Sequence, residues 1–244
     1  MLSSQPTRYT VAVATPRDTH SLAPEVASAR PVAPRSLSLP ESERVFRASE
    51  AWNEPTRREW LTSRLAAQRA AAALIALSRG PRDSIEIVRG GDEGRGGTQL
   101  VARRVAGHSA SKVITIPLGL SISVSHADGR AIAAATSRPA RIGVDLERAD
   151  TVSPRHADYF LSRHERERSG SLTLTELWAL KESAWKALGC DDTTPFGEVE
   201  LIFDTSGGVR ALRLRAMVIP VVAELRHPWP GWIGAIVALE GVME

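Results

Sequence analysis

Residues 178–186 form the part of this sequence best suited to chemistry. They read Trp-Ala-Leu-Lys-Glu-Ser-Ala-Trp-Lys and hold Lys181 and Lys186, two of the three lysines in an arginine-rich chain. Because the pKa of lysine shifts readily whereas arginine stays protonated, this usage favours catalysis at phosphate. Glu182 and Lys186 lie one turn apart on a common helix face. The alternative is an ordinary ion pair on an amphipathic helix, worth roughly a few tenths of a kcal/mol.

A second cluster of charge lies in residues 141–147, which read Arg-Ile-Gly-Val-Asp-Leu-Glu. The alternation predicts a strand with Asp145 and Glu147 on one face. Like charges so placed repel one another unless a cation or solvent separates them, and a solvated edge remains an alternative. With Glu182 as a third carboxylate, the set would suit a hard cation such as Mg²⁺, which shares its ligand shell with substrate phosphates.

Residues 123–130, Ser-Val-Ser-His-Ala-Asp-Gly-Arg, contain an adjacent serine and histidine. A hydrolase triad is a poor interpretation, because adjacent residues of an extended chain point to opposite faces and no Gly-x-Ser-x-Gly elbow surrounds Ser125. From the residues alone, His126 can equally be a loop histidine with no special task.

In this order, the Ser-His element, the Gly143–Glu147 acidic motif and the 178–186 segment resemble the 4′-phosphopantetheinyl transferase superfamily, specifically its surfactin-synthetase-activating (Sfp) type. The resemblance is clear over about residues 121–205 and weaker at 39–43 and 57–77. It implies a magnesium-dependent transfer of the phosphopantetheine arm of coenzyme A to a serine of an acyl or peptidyl carrier protein, with release of 3′,5′-ADP.

The resemblance also implies an α+β fold that is pseudo-duplicated. Two similar halves would each pack helices on an antiparallel sheet, with the active site between them. Residues 1–118 would supply the coenzyme A contacts, and residues 119–244 would supply the metal site and the catalytic helix.

Roles in catalysis follow from the same resemblance. Asp145 and Glu182 would bind Mg²⁺, or Mn²⁺ as its substitute, and Glu147 would be a third ligand or hold a metal-bound water. Glu182 is the candidate base for the carrier serine, although a bound cation lowers the basicity of its ligand. Lys186 is the candidate acid or charge stabiliser, and Lys181 would face the diphosphate.

Coenzyme A contacts are assigned in the same way. His126, assisted by Ser125, would bind the 3′-phosphate, and Arg64 and Arg69 on a predicted helix over residues 56–77 would bind further phosphates. Without the resemblance, that arginine-rich helix face would be an ordinary solvated surface.

The family's Gly-Arg/Lys-Pro turn has no clean match before the Ser-His element, although Lys112 or Arg104 could substitute for its basic residue. The glycine-rich run at 90–97 lacks the ending of a phosphate-binding loop and predicts a hairpin loop instead.

These motifs require an ordered set of supporting elements. The patterns predict strands at residues 9–15, 84–88, 99–105, 113–116, 131–136, 141–147, 199–203, 210–216, 219–226 and 232–239. They predict helices near residue 40 and at 56–77, 154–168 and 174–188. The last three strands are typical of an antiparallel meander.

Composition restricts the class of protein. The 244 residues, 43% of them hydrophobic, can bury a sizeable core, and a single cysteine, Cys190, excludes an internal disulfide and a multi-cysteine zinc site. The net charge of +3 suits polyanionic ligands and acidic carrier proteins. Arginines are scattered among acids and no nucleic-acid-binding motif is found, so we expect no nucleic-acid partner.

The sequence has neither a secretory pattern nor a run of 18 apolar residues, so we expect a cytoplasmic monomer that does not bind membranes. The carriers would belong to fatty-acid, polyketide or nonribosomal peptide synthases. Two other functions remain open: a non-catalytic module that binds coenzyme A or a carrier protein, and a metal-dependent phosphodiesterase or nuclease. The combination of Asp145, Glu147, Glu182 and Lys186 favours the transferase, since a binding module does not need that set.

Overall fold

The computed structural model describes most of the second half of the chain and separate segments of the first. The described residues are 9–14, 53, ten residues between 55 and 71, 84–90, 99–109, 112–117, 120–137, 140–191 and 193–240. The described residues between 55 and 71 are helical, within the predicted helix. The predicted helix near residue 40 lies outside the described residues.

Strands and helices follow one another as an α+β chain. The strands are β1 (Tyr9–Ala14), β2 (Ser84–Gly90), β3 (Gln99–Ser109), β4 (Lys112–Pro117), β5 (Leu120–Ala127), β6 (Arg130–Ser137), β7 (Ile142–Arg148), β8 (Val199–Phe203), β9 (Val209–Leu214), β10 (Met217–Arg226) and β11 (Trp232–Leu239). Besides the helical residues between 55 and 71, the described helices are α1 (Ala157–Phe160), α2 (Arg163–Arg168) and α3 (Leu174–Leu188), with single 3₁₀ turns at Pro154–His156 and Phe196–Glu198.

In the described part of the chain, the strands form two antiparallel sheets. The first has the order β1-β6-β5-β3-β2, with β4 also paired to β3, and the second has the order β7-β11-β10-β9-β8. The predicted α+β class with antiparallel sheets is confirmed, whereas the pseudo-duplication stays a prediction. The division at residue 118 also stays a prediction, and the first sheet contains strands from both sides of it.

The second sheet is covered on both faces by apolar side chains. One core cluster joins α3 to the inner residues of β8 to β11, and the other joins Val144 and Leu146 of β7 to Ile132 of β6. Because side chains alternate along β7, Asp145 and Glu147 therefore point away from β6 and towards α3. The core on one face thus fixes which face carries the charges.

Helix α3 begins and ends where its sequence dictates. Thr173 and Glu176 form a reciprocal capping box at its start, and Gly189 ends it in the left-handed conformation at φ 71°. The predicted bounds of this helix, 174–188, are confirmed, as are those of β8 and β11. Among the described residues, no helix has the length and apolarity needed to cross a membrane.

One prediction about the elements was wrong, and one strand was missed. Residues 154–168 do not form one helix, because Leu161 and Ser162 are extended and Ser162 starts α2 with its own capping box to Glu165. Strand β5 was not predicted, although Leu-Ser-Ile-Ser-Val-Ser alternates apolar and polar residues with the period of a strand. Of the predicted hairpin loop at 90–97, Gly90 is the last residue of β2 and the remainder lies outside the described residues. Strands β2 and β3 on either side pair as antiparallel neighbours.

Candidate active site

Three carboxylates converge where α3 crosses β7. Asp145 and Glu147 come from β7 and Glu182 comes from α3, and each offers one oxygen such that all three oxygens lie within 4.8 Å of one another. The strand alternation and the helix register predicted from the sequence are thus brought together by the packing of two elements. This spacing suits a divalent cation held by carboxylate oxygens.

Lys186 joins two of these carboxylates. Its Nζ lies 2.8 Å from Asp145 Oδ1 and 3.0 Å from Glu182 Oε1, and it also donates to the carbonyl oxygen of Val144 at 3.2 Å. Burial by itself lowers the pKa of Lys186, but the charges of Asp145 and Glu182 outweigh it, so the pKa is raised above its ordinary value. The ammonium therefore stays charged near neutral pH.

Asp145 is the most buried of the three carboxylates, with 3% of its side chain exposed. Oδ1 accepts hydrogen bonds from Ser125 Oγ at 2.9 Å and from Lys186. Oδ2 is buried and has no hydrogen-bond partner among the described residues. A buried carboxylate oxygen without a partner is costly, and a cation would satisfy it. The donor set therefore fits a Mg²⁺ or Mn²⁺ ion.

Glu147 is held by an indole. Trp178 Nε1 donates to Glu147 Oε1 at 3.2 Å, while its rings pack against Phe160 and Phe196. Burial, followed by the charges of Asp145 and Glu182, raises the pKa of Glu147 to about 7. Three carboxylates this close cannot all ionise without cost, which is the condition that a bound cation relieves. The contact between Trp178 and Glu147 joins separate elements and was not predicted from the sequence.

Lys181 does not face the cluster, and this prediction is wrong. Its side chain is fully buried, and its Nζ lies 2.9 Å and 3.1 Å from the two carboxylate oxygens of Glu165. Glu165 also accepts from the backbone N–H groups of Leu201 and Ser162. Burial lowers the pKa of Lys181, against the opposing influence of Glu165. The lysine therefore joins α3 to α2 and β8 instead of reaching a substrate.

Ser125 and His126 face opposite sides of β5. Ser125 is buried and donates to Asp145, whereas His126 is exposed. The prediction that Ser125 assists His126 at one phosphate is corrected, because a strand places adjacent side chains on opposite faces. The assignment of His126 to the 3′-phosphate stays a prediction.

The predicted contacts of Arg64 and Arg69 with coenzyme A phosphates stay predictions. Arg69 is an exposed helical residue, and Arg64 lies outside the described residues. The side chains of Lys112 and Arg104 are also outside the described part. Glu165 was missed by the sequence analysis, although Ser162 and Glu165 have the spacing of a capping box that would have marked it.

Comparisons with known proteins agree with the sequence resemblance. Residues 141–223 match the family model described as ACPS, the 4′-phosphopantetheinyl transferase superfamily. A search of curated proteins found no match.

Two solved structures with some likeness are a holo-[acyl-carrier-protein] synthase and an ACPS-CoA complex. For the Thermotoga maritima enzyme the identity is 23%, the alignment covers 41% of this chain and 62% of that one, and the TM-score is 0.34. For a Chronobacterium ammoniagenes ACPS-CoA complex the identity is 21%, the coverage is 44% and 100%, and the TM-score is 0.33. At these scores the likeness adds no argument about the site.

The matched family segment contains β7 and α3, and hence Asp145, Glu147, Glu182 and Lys186. The Sfp type within the family stays a prediction. Residues 141–223 are thus similar to the 4′-phosphopantetheinyl transferase superfamily, and the match covers about a third of the chain.

Proposed function

We propose that this protein transfers the 4′-phosphopantetheine arm of coenzyme A to a serine of an acyl or peptidyl carrier protein. The observation that carries the proposal is the convergence of Asp145, Glu147 and Glu182 around one point, with the Lys186 ammonium between two of them. The family segment contains all four residues. A site that only binds coenzyme A or a carrier protein has no need for three mutually repelling carboxylates.

The three carboxylates would hold a Mg²⁺ or Mn²⁺ ion. Such an ion supplies charge neutralisation at the diphosphate and orients the phosphoryl group for attack. Asp145 Oδ2 and Glu182 are the proposed ligands, and Glu147 is either a third ligand or the holder of a water on the ion. Glu147 and Glu182 are only half-buried, so water and phosphate ligands could complete the shell of the ion, as Mg²⁺ requires.

The proposed reaction is one phosphoryl transfer. The carrier serine oxygen attacks the phosphorus that bears the pantetheine arm, a new P–O bond forms, and the bond from that phosphorus to the bridging oxygen breaks. The serine proton passes to the base, and 3′,5′-ADP leaves with the bridging oxygen. We assign the base to Glu182, because 30% of its side chain is exposed whereas Asp145, at 3%, is out of reach of a serine on another protein.

Lys186 is proposed as a charge stabiliser and not as an acid. A quarter of its side chain is exposed, so it can approach a substrate phosphate. Its raised pKa makes proton donation unfavourable but keeps its full positive charge available. A fixed ammonium beside a phosphate that gains charge stabilises the transition state.

Substrate contacts outside the cluster are proposals that follow from the family. His126, Arg64 and Arg69 would bind phosphates of coenzyme A, and residues 151–174 would dock the carrier protein. Tyr159, within that range, is 80% exposed, and exposed tyrosines are favoured at protein interfaces. The carriers would be domains of fatty-acid, polyketide or nonribosomal peptide synthases, including those of secondary metabolism.

The test is mass spectrometry of apo carrier proteins incubated with coenzyme A, Mg²⁺ and this protein. We expect the carrier to gain one phosphopantetheine group, and the gain to disappear with Asp145→Ala or Lys186→Ala. Glu224→Ala is the matched control, since Glu224 pairs with Arg226 on β10, outside the cluster. No gain with fatty-acid, polyketide and peptide carriers would contradict the proposal, and cleavage of coenzyme A without a carrier would favour a phosphodiesterase.

A further inference from the structure

Ser125 is directed at the cation site and not at the solvent-exposed side of β5. Its hydroxyl donates to Asp145 Oδ1 at 2.9 Å, and only 8% of the residue is exposed. We propose that Ser125 is a positioning residue: it holds Asp145 through Oδ1, so that Oδ2 is the oxygen presented to the divalent cation. This inference rests on the proposed function, because it concerns the cation site of that reaction.

Hydrogen bonding to Asp145 is strongly unequal between its two oxygens. Oδ1 accepts from Ser125 and from Lys186, whereas Oδ2 is buried and has no partner within the described part of the chain. Two donors on one oxygen fix the rotation of the carboxylate about its terminal bond. The free oxygen is then set in place before a cation arrives, which lowers the cost of binding.

Strands β5 and β7 keep this hydroxyl in register with Asp145. Ser123, two residues earlier on the same face of β5, accepts from the backbone N–H of Val144 at 3.0 Å. Ser123 thus fixes β5 against the edge of β7, and Ser125 falls opposite the next residue, Asp145. The two serines lie on the same face of β5 but have different partners: Ser123 contacts the β7 backbone, and Ser125 contacts the Asp145 carboxylate.

A role for Ser125 at the 3′-phosphate conflicts with this arrangement. A serine hydroxyl has a single proton to donate, and that proton is used at Asp145. Bringing a phosphate to the same hydroxyl would place it beside a buried carboxylate and break the existing bond. His126 is exposed on the other side of the strand and is free of this conflict.

The experiment measures cation binding and phosphate recognition separately. Mn²⁺ is titrated into the full-length protein without coenzyme A, and free Mn²⁺ is followed by electron paramagnetic resonance. We expect Ser125→Ala to weaken Mn²⁺ binding about 10-fold, the lower range for removing a partner that orients a metal ligand. Ser206→Ala is the matched control, because Ser206 also donates to an aspartate, Asp204, but outside the cluster. It should bind Mn²⁺ like the unmodified protein.

In the same variants, the affinities for coenzyme A and 3′-dephospho-coenzyme A are compared without a divalent cation. We expect Ser125→Ala to leave the ratio of the two affinities unchanged. A lost preference for the 3′-phosphate, or unchanged Mn²⁺ affinity, would overturn the inference.

Ser125→Thr tests whether the effect of Ser125→Ala comes from loss of the hydroxyl or from misfolding. It keeps the hydroxyl, so we expect Mn²⁺ affinity to recover towards the original value, and a defect as large as that of Ser125→Ala would overturn the role of the hydroxyl. Asp145→Ala distinguishes failure of the cation site from failure of the role of Ser125. If this variant binds Mn²⁺ normally, the cation site itself fails, and with it the proposed function. If Asp145→Ala weakens binding and Ser125→Ala does not, the failure concerns Ser125 alone.

Discussion

Gly143 of β7 lies directly against the backbone of Ser183 in α3. A Cβ atom at position 143 would be 1.9 Å from the Ser183 carbonyl oxygen and 2.6 Å from the backbone nitrogen of Ala187. Neither atom is the end of a flexible side chain, so the helix itself would have to move. The distance between β7, which carries Asp145, and α3, which carries Glu182, therefore depends on this glycine.

Gly143→Ala is expected to open this contact by shifting α3 away from β7. Overpacking of this kind costs about 1–3 kcal/mol in free energy of unfolding. A displacement on the order of 1 Å between reacting groups can lower the rate by about 100-fold. Urea unfolding and the rate of carrier modification measure the two effects. Gly197→Ala is the control, because no atom of the described residues lies within 4 Å of its added Cβ; equal behaviour of the two variants would contradict the prediction.

The carboxylate cluster could be predicted from the sequence because its geometry follows from the alternation of a strand and the repeat of a helix. The alternation along residues 141–147 places Asp145 and Glu147 on one face, and the helical register places Glu182 beside Lys186. The two patterns do not show that β7 packs against α3. The resemblance to a family supplied that expectation. The bounds of α3 followed from the same helical pattern, whereas the α+β fold was implied by the family resemblance.

Contacts between separate elements could not be predicted from local sequence patterns. Lys181 and Lys186 are both lysines on one helix, yet the partner of Lys181 is Glu165, which is placed beside it by the break at Ser162. The bond from Ser125 to Asp145 joins strands of different sheets. Side-chain spacing along the chain carries no information about which sheets meet, so these two assignments required the structure.

Stabilisation by Mg²⁺ should depend on pH through Glu147. The pKa of this group is raised to about 7 in the folded protein, from its ordinary value of 4.5. A raised pKa means that its contribution to stability is present below about 4.5 and is lost as the pH rises through about 7. A cation relieves the repulsion that causes the loss. We therefore expect Mg²⁺ to raise the melting temperature more at pH 8 than at pH 6, measured by calorimetry.

Glu147→Gln is the control for this pH dependence. Glutamine keeps an oxygen for the Trp178 indole but cannot ionise. The effect of Mg²⁺ should then differ less between pH 6 and pH 8. If the difference is as large in this variant as in the unmodified protein, another group is responsible.

Lys186 should act on the chemical step. Lys186→Met removes the charge that contacts Asp145 and Glu182, and loss of such a group in an active site lowers kcat by about 10²–10³-fold. Lys186→Arg keeps the charge but replaces a compact ammonium with a larger planar group, so we expect partial activity. Steady-state rates at saturating coenzyme A measure both variants. If Lys186 were a proton donor, Lys186→Arg would be as inactive as Lys186→Met.

Lys181 should act on stability and not on coenzyme A. Its ammonium and the Glu165 carboxylate are both fully buried, and removing one partner leaves an uncompensated charge. Such a loss costs about 3–5 kcal/mol in free energy of unfolding. We expect Lys181→Met to unfold at lower urea concentration, while the folded protein keeps the KM for coenzyme A. The double variant Lys181→Met/Glu165→Gln should recover part of the stability, because glutamine is neutral and its oxygen can still accept from the Leu201 N–H. A raised KM for coenzyme A with unchanged stability would instead place Lys181 at the diphosphate.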